Sequence, residues 1–169
     1  MTGQPECKFL KTVRLDKSDE FVFERPADAG EWAVSGSFEF VDTDPADLTT
    51  KRRLAFAQGF LGLGSFGRST VVSVASASEA DVAEATESLA AHLLECYGAP
   101  DREAARKAAR EEVDFMIDLC DPYPVNQLLL VEREVRDEGI HEGFRAVDKP
   151  DRLEHAKIWT IVPDDEVVT

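Results

Sequence analysis

GLGSFGRST, residues 62–70, is the stretch on which the fold class turns. Gly62, Gly64 and Gly67 spell G-x-G-x-x-G, the dinucleotide fingerprint, and Leu61 and Phe66 extend it to L-G-x-G-x-F-G, which looks like the glycine-rich loop of protein kinases. From Gly62 to Ser69 the same residues read G-x-x-x-x-G-R-S, a P-loop with arginine where lysine belongs. A fingerprint or a P-loop would imply a parallel α/β fold, because each closes a strand and opens a helix whose N-terminal amides hold phosphate. The flanks run in the opposite order. The segment before the loop, through about Phe60, has helical composition, and STVVSVA after it is strand-like. The kinase loop does join two strands, but no lysine occurs between Lys51 and Lys107, and neither H-R-D nor D-F-G appears. The stretch therefore reads as a helix-to-strand connector. A secondary reading is a small anion site made by the backbone at Gly62, Gly64 and Gly67, with Arg68 as its cation.

Working outward, the upstream chain reads as an antiparallel meander. Cys7–Leu15 is the first strand, a turn covers residues 16–19, Phe21–Glu24 is a short second strand, and Trp32–Val41 is a half-buried third strand with Trp32, Val34, Phe38 and Phe40 on one face. Asp44-Pro45 looks like a cap and first turn of the helix that runs to about Phe60. Downstream, residues 69–75 form a strand, Ser78-x-x-Asp81 a capping box, and Val82, Leu89, Leu93 and Tyr97 a helix that Gly98 ends. A second helix covers about Asp101–Leu119. Residues 127–136 and 140–147 form a hairpin. Pairing Asp137 with Ile140 sets Val131 opposite Ala146, Arg133 opposite Phe144, Val135 opposite Glu142 and Glu132 opposite Arg145. Residues 148–152 are a loop, Ala156–Val162 a last strand and residues 163–169 an acidic tail. The expected fold is α+β: an antiparallel sheet of about six or seven strands with about three helices on one face, forming a single domain over residues 1–162.

Composition narrows the functional classes. The chain has 169 residues, 34 acidic against 19 basic, and a net charge of −15. A surface this negative repels nucleic acid, and Lys51-Arg52-Arg53 reads as a solvated face at a helix start. No apolar run approaches the roughly 20 residues of a membrane span, and MTGQPECKFLK lacks the pattern of a secretory signal, so a cytoplasmic protein is expected. Cys7, Cys96 and Cys120 form no C-x-x-C pair and read as free thiols without metal, as suits a reducing compartment.

Isolated candidates for chemistry each have a plainer account. His92 and Cys96 are spaced to share a helix face, but two ligands do not make a metal site. Glu132, Glu134 and Glu142 on the hairpin have Arg133 and Arg145 beside them to neutralise them. His141-Glu142 and Glu154-His155 are sequence neighbours, which point to opposite faces of a strand and so form no dyad. No serine or cysteine lies in a nucleophile elbow.

Three stretches read together, KFLKTVRLDKSDEFVFERPADAGEWAVSGSFEF, FAQGFLGLGSFGRSTVVSV and EEVDFMIDLCDPYPVNQLLLVEREVRDEGIHEGFRAV, resemble a family of small, mostly proteobacterial proteins classed as a domain of unknown function. The resemblance covers about residues 8–147, and LEHAKIWTIVPDDEVVT departs from it. It implies no activity and no site residues. The functional expectation is then a non-catalytic protein-interaction or accessory module without a cofactor, working through another protein or as a homodimer. Its contact would use the bare sheet face or the Ala156–Val162 edge. The alternative is a small-ligand-binding protein or minor enzyme with a pocket near Arg68, Arg133 and Trp32.

Overall fold

ECKFLKTV places Phe9 and Leu10 side by side on a strand, where neighbours face opposite ways, so burying both requires cover on both faces. Both are fully buried. The computed structural model describes residues 6–14, 22–41 and 43–147. In it this strand, β1 (Glu6–Val13), is central to a seven-stranded sheet with β2 (Trp32–Val34), β3 (Phe60–Gly62), β4 (Arg68–Ser69), β5 (Val71–Ser78), β6 (Leu128–Arg136) and β7 (Gly139–Val147). The order is β4-β3-β2-β1-β5-β6-β7, and every neighbouring pair is antiparallel. With three α-helices completely inside the described residues, this is the α+β architecture expected. No helix among the described residues is long and apolar enough to cross a membrane.

The first helix, α1 (Thr50–Gln58), starts later and ends sooner than its composition suggests. Its N-cap is Thr49, whose side chain accepts from Arg52 N, while Asp44-Pro45 opens only a single 3-10 turn, Pro45–Asp47. Phe60, expected to end that helix, instead opens strand β3. Phe60 and Leu61 are both fully buried, which a strand inside the sheet achieves and an amphipathic helix end does not. The other two helices follow their signals. Ser78 and Asp81 complete a capping box for α2 (Glu79–Cys96), which Gly98 ends at φ +73°. In α3 (Arg102–Cys120), capped by Asp101, the fully buried Ala105, Ala109, Val113, Met116 and Cys120 recur at helical spacing and join the core around Leu89 of α2. Complete burial of a leucine such as Leu89 is worth about 2 kcal/mol.

The expected third strand breaks early. Trp32–Val34 pairs with β1 and β3, but Gly36 lies at φ +77°, and Ser37–Phe40 closes into a 3-10 turn. A side chain at Gly36 would strike Leu61 Cβ at 2.5 Å and Arg68 Nη1 at 2.8 Å, so glycine is required here and the strand cannot continue. Phe38 and Phe40 then alternate for a different reason: Phe38 meets Tyr97, while Phe40 joins a second core with Phe23, Ala55 and Phe56. Residues 22–24 of the expected second strand are not a strand; Pro26 makes one bridge to Arg68, and Phe23 is buried. Leu15, the turn at 16–19, Phe21, the loop at 148–152, the strand at 156–162 and the acidic tail lie outside the described residues.

The hairpin forms with its register shifted by two residues. Val131 pairs with Phe144, Arg133 with Glu142 and Val135 with Ile140, because the turn is Asp137-Glu138, closed by Arg136 and a Gly139 at φ +125°. A shift of two keeps each side chain on its face. The ribbon pairs with β5 only at Val72↔Leu129 and Ser73↔Leu128 and then curls back over the sheet. Phe144 meets Phe60 at 6.1 Å, and Arg133 reaches the Phe56 carbonyl at 2.7 Å. This return accounts for the face expected to be bare: Leu10 and Ala33 are fully buried and Ser35 is 1% exposed.

Candidate functional site

The glycine stretch is a β3–β4 hairpin loop rather than a helix-to-strand connector, with Gly62 N donating to Gly67 O at 2.9 Å. Its exposed amides do hold an anion, and the anion is internal. Glu31 Oε1 accepts from Gly64 N and Ser65 N at 2.8 Å each, and Glu31 Oε2 accepts from Asp28 N at 2.7 Å. Burial opposes the Glu31 charge, but these amide bonds outweigh it and hold the carboxyl below its ordinary range. Gly62 leaves room for Glu31, since a side chain there would lie 2.4 Å from its Oε1; Gly67 lies as close to the Pro26 carbonyl, 2.5 Å from where its Cβ would be. Arg68 points away from this carboxylate into the interior. The four residues read as one anion site thus divide, with the glycines around Glu31 and Arg68 elsewhere.

Arg68 builds the floor of a cleft of about 410 Å³. Its Nη1 donates to Gly59 O at 3.0 Å, and its Nη2 to Gly36 O at 2.9 Å and Glu39 Oε1 at 2.5 Å, while the guanidinium lies 5.0 Å over the Phe40 ring. Burial pulls Arg68 down to about 10, which leaves it charged at neutral pH, with Glu39 opposing the fall. Burial also works against the Glu39 carboxylate, yet the Arg68 charge and hydrogen bonds from Arg68 and Tyr97, with the His92 ring close by, keep it below the usual carboxylate range. Tyr97 donates its hydroxyl to Glu39 Oε2 at 2.7 Å; burial first, then Glu39, raises that phenol. His92 Nε2 is 3.6 Å from Glu39 Oε2, too far for a hydrogen bond, and is a buried nitrogen without a partner. The imidazole lies flat on Phe66 at 3.8 Å. Phe66 holds φ +59°, an uncommon conformation for a bulky residue, which sets this ring as a wall of the cleft.

The rim is cationic. Arg25, Lys51 and Arg52 line it with Glu24, and Cys96 lies beside Tyr97. Lys51-Arg52-Arg53 is therefore only partly a solvated face: Lys51 and Arg52 face a cleft. His92 and Cys96 do share that cleft, although no three His, Cys, Asp or Glu side chains among the described residues converge as metal ligands. None of Cys7, Cys96 and Cys120 is in a disulfide.

Of the pocket expected near Arg68, Arg133 and Trp32, only Arg68 lines the cleft. Trp32 stacks on Phe9 at 5.3 Å with Lys11 above it. Arg133 is wholly buried outside the cleft lining, donating to Glu142 Oε2 at 2.7 Å and to the Ser35 carbonyl, which also accepts from Arg68 Nη1 at 3.4 Å, while Ser35 Oγ donates to Glu142. The hairpin carboxylates are neutralised as expected, with Arg133 on Glu142 and Arg145 on Glu132; Glu134 is held by Arg136. Glu39, Tyr97 and Arg25 are absent from the sequence candidates: Glu39 lies in an expected strand that breaks at Gly36, Tyr97 reads only as the last apolar position of its helix, and Arg25 falls between an expected strand and turn. Gly36 inside the apparent strand was the available signal that the chain turned there.

Residues 7–162 match the model of a family of unknown function (DUF6505), and the chain belongs to that family. No curated protein sequence and no solved structure matches it.

Proposed function

We propose that this member of a family without an assigned activity is a small-molecule-binding protein whose ligand occupies the Arg68–Glu39–His92–Tyr97 cleft. The observation that carries the reading is the convergence of five separate segments on one concave site of ligand size with both apolar walls and polar groups. Binding is favoured over catalysis because Glu39, the carboxylate beside the imidazole, already accepts from Arg68 and Tyr97 and is a poor base. The interaction-module reading, in which the chain acts on another protein or as a homodimer, has less support. Among the described residues the exposed large apolar side chains, Val41, Tyr97, Val125 and Val135, belong to four different segments.

A thermal-shift screen of small polar metabolites tests the proposal, run in parallel on Cys96→Trp, which fills the cleft from an exposed position at the end of α2. Ligands of the cleft stabilise the natural protein and not the variant. Equal stabilisation of both, or none by any compound while a protein partner co-purifies, would favour the interaction module.

A further inference from the structure

We infer that the ligand is a small organic anion, a carboxylate or phosphate on an apolar body, with its head among Arg25, Lys51 and Arg52; this rests on the cleft being a binding site. Four cations, Arg25, Lys51, Arg52 and Arg68, line the cleft against two carboxylates, Glu24 and Glu39, a local charge of +2 in a chain of −15. Arg68 and Glu39 neutralise each other at 2.5 Å, so the surplus falls on the three rim cations with Glu24 alone opposing them. Two of the three stand where cations are least favoured. Lys51 and Arg52 occupy the first turn of α1, next to the positive end of the helix dipole, and that turn has no acidic residue. An anion bound there satisfies both the side chains and the helix end.

The rest of the cleft defines the body that carries the head. Phe23 and Phe66 provide apolar wall, and Phe66 is held in place by its strained backbone and by its stack on His92. His92 Nε2 is buried 3.6 Å from Glu39 Oε2 with no hydrogen-bond partner among the described residues, so the ring serves the body of the ligand as part of the cleft wall. Inorganic phosphate would use the rim and leave these groups idle.

Amide NMR titrations of the intact chain with phenyl phosphate, benzoate, benzamide, benzylamine and inorganic phosphate test the inference. Phenyl phosphate, benzoate or both should saturably shift resonances of residues 50–53 and 66–68. In Lys51→Gln/Arg52→Gln the affinity should fall by about tenfold or more, as it should on raising NaCl to about 0.5 M. The stronger of the two probes identifies the head. Binding of benzamide or benzylamine as tight as that of the anions, or an unchanged affinity in the double variant, overturns the anion while leaving the cleft a binding site. Inorganic phosphate binding as tightly as phenyl phosphate overturns the apolar body. No shift from any of the five removes the binding site itself.

Discussion

Glu31 does inside this protein what a phosphate does in a nucleotide-binding loop: it takes the Gly64 and Ser65 amides with one carboxylate oxygen. The glycine spacing was legible because it is local. Its meaning was not, because the anion comes from a residue about thirty positions upstream, brought in by the β2–β3 pairing. The same carboxylate repels any phosphate that approaches the loop, so ATP, GTP and NAD should not bind there. Glu31→Ala should destabilise the fold by about 1–3 kcal/mol, the cost of leaving the Gly64, Ser65 and Asp28 amides without the charged acceptor, whereas Glu31→Gln should cost less. Urea denaturation checks this, and a loss below about 0.5 kcal/mol for Glu31→Ala would show that water replaces the carboxylate. Since amide bonds depress the Glu31 carboxyl, its contribution is present above the ordinary carboxylate range and is lost as pH falls through the lowered value.

Hairpin β6–β7 shows how near an element can come to being read correctly while its chemistry is missed. Its strands and faces follow from alternation, but the register depends on which residues form the turn, and Gly139 at φ +125° moves the turn by enough to set Arg133 against Glu142 instead of Phe144. That pairing makes a buried ion pair, with the Arg133 side chain fully enclosed. Arg133→Met should destabilise by about 3–5 kcal/mol, because it abandons Glu142 and the Ser35 and Phe56 carbonyls in the interior. The double change Arg133→Met/Glu142→Leu should recover part of the loss; no recovery would mean that the carbonyls, not the carboxylate, set the cost.

Helix α3 adds Glu112 to this network. Burial first, and then Glu142 with a smaller push from Glu111, raises its carboxyl to about 7 against the pull of Arg133. Folded protein then holds a proton that the unfolded chain has released between about pH 4.5 and 7, so this group makes stability fall as pH rises through that window and level off above it. Glu112→Gln should abolish that component and stabilise the protein at pH 8 by up to about 3 kcal/mol. Chemical denaturation of both proteins from pH 5 to 8 decides it, and parallel stability curves would remove Glu112 as a titrating group.

At the scale of the whole molecule, the net charge was legible from composition and its local reversal was not. Lys51-Arg52 is visible in the sequence, but Arg25 and Arg68 join it only through folding, since Pro26 bridges to Arg68 and the β3–β4 turn carries Arg68 under α1. The face that suggested a homodimer is not bare: the returning hairpin meets Ser35 and Phe60, and Leu10 and Ala33 are fully buried. Among the described residues a long edge remains at β7, which has a neighbour on one side only. Pairing through that edge would bring two chains of −15 together, so a dimer should gain strength with salt, and light scattering at a constant 18.7 kDa in low and high salt would dismiss it. The two charge scales lead to opposite salt effects in the monomer. Raising NaCl from about 0.02 M to 0.5 M shortens the Debye length from roughly 20 Å to 4 Å, which screens the repulsion among the excess carboxylates and should raise the unfolding midpoint. The same screening should weaken an anion at the positive rim. Calorimetric unfolding of the free chain and titration with phenyl phosphate, at both salt levels, measure the two effects separately. If both rise, the affinity does not come from the rim cations; if both fall, the acidic excess is already compensated within the fold.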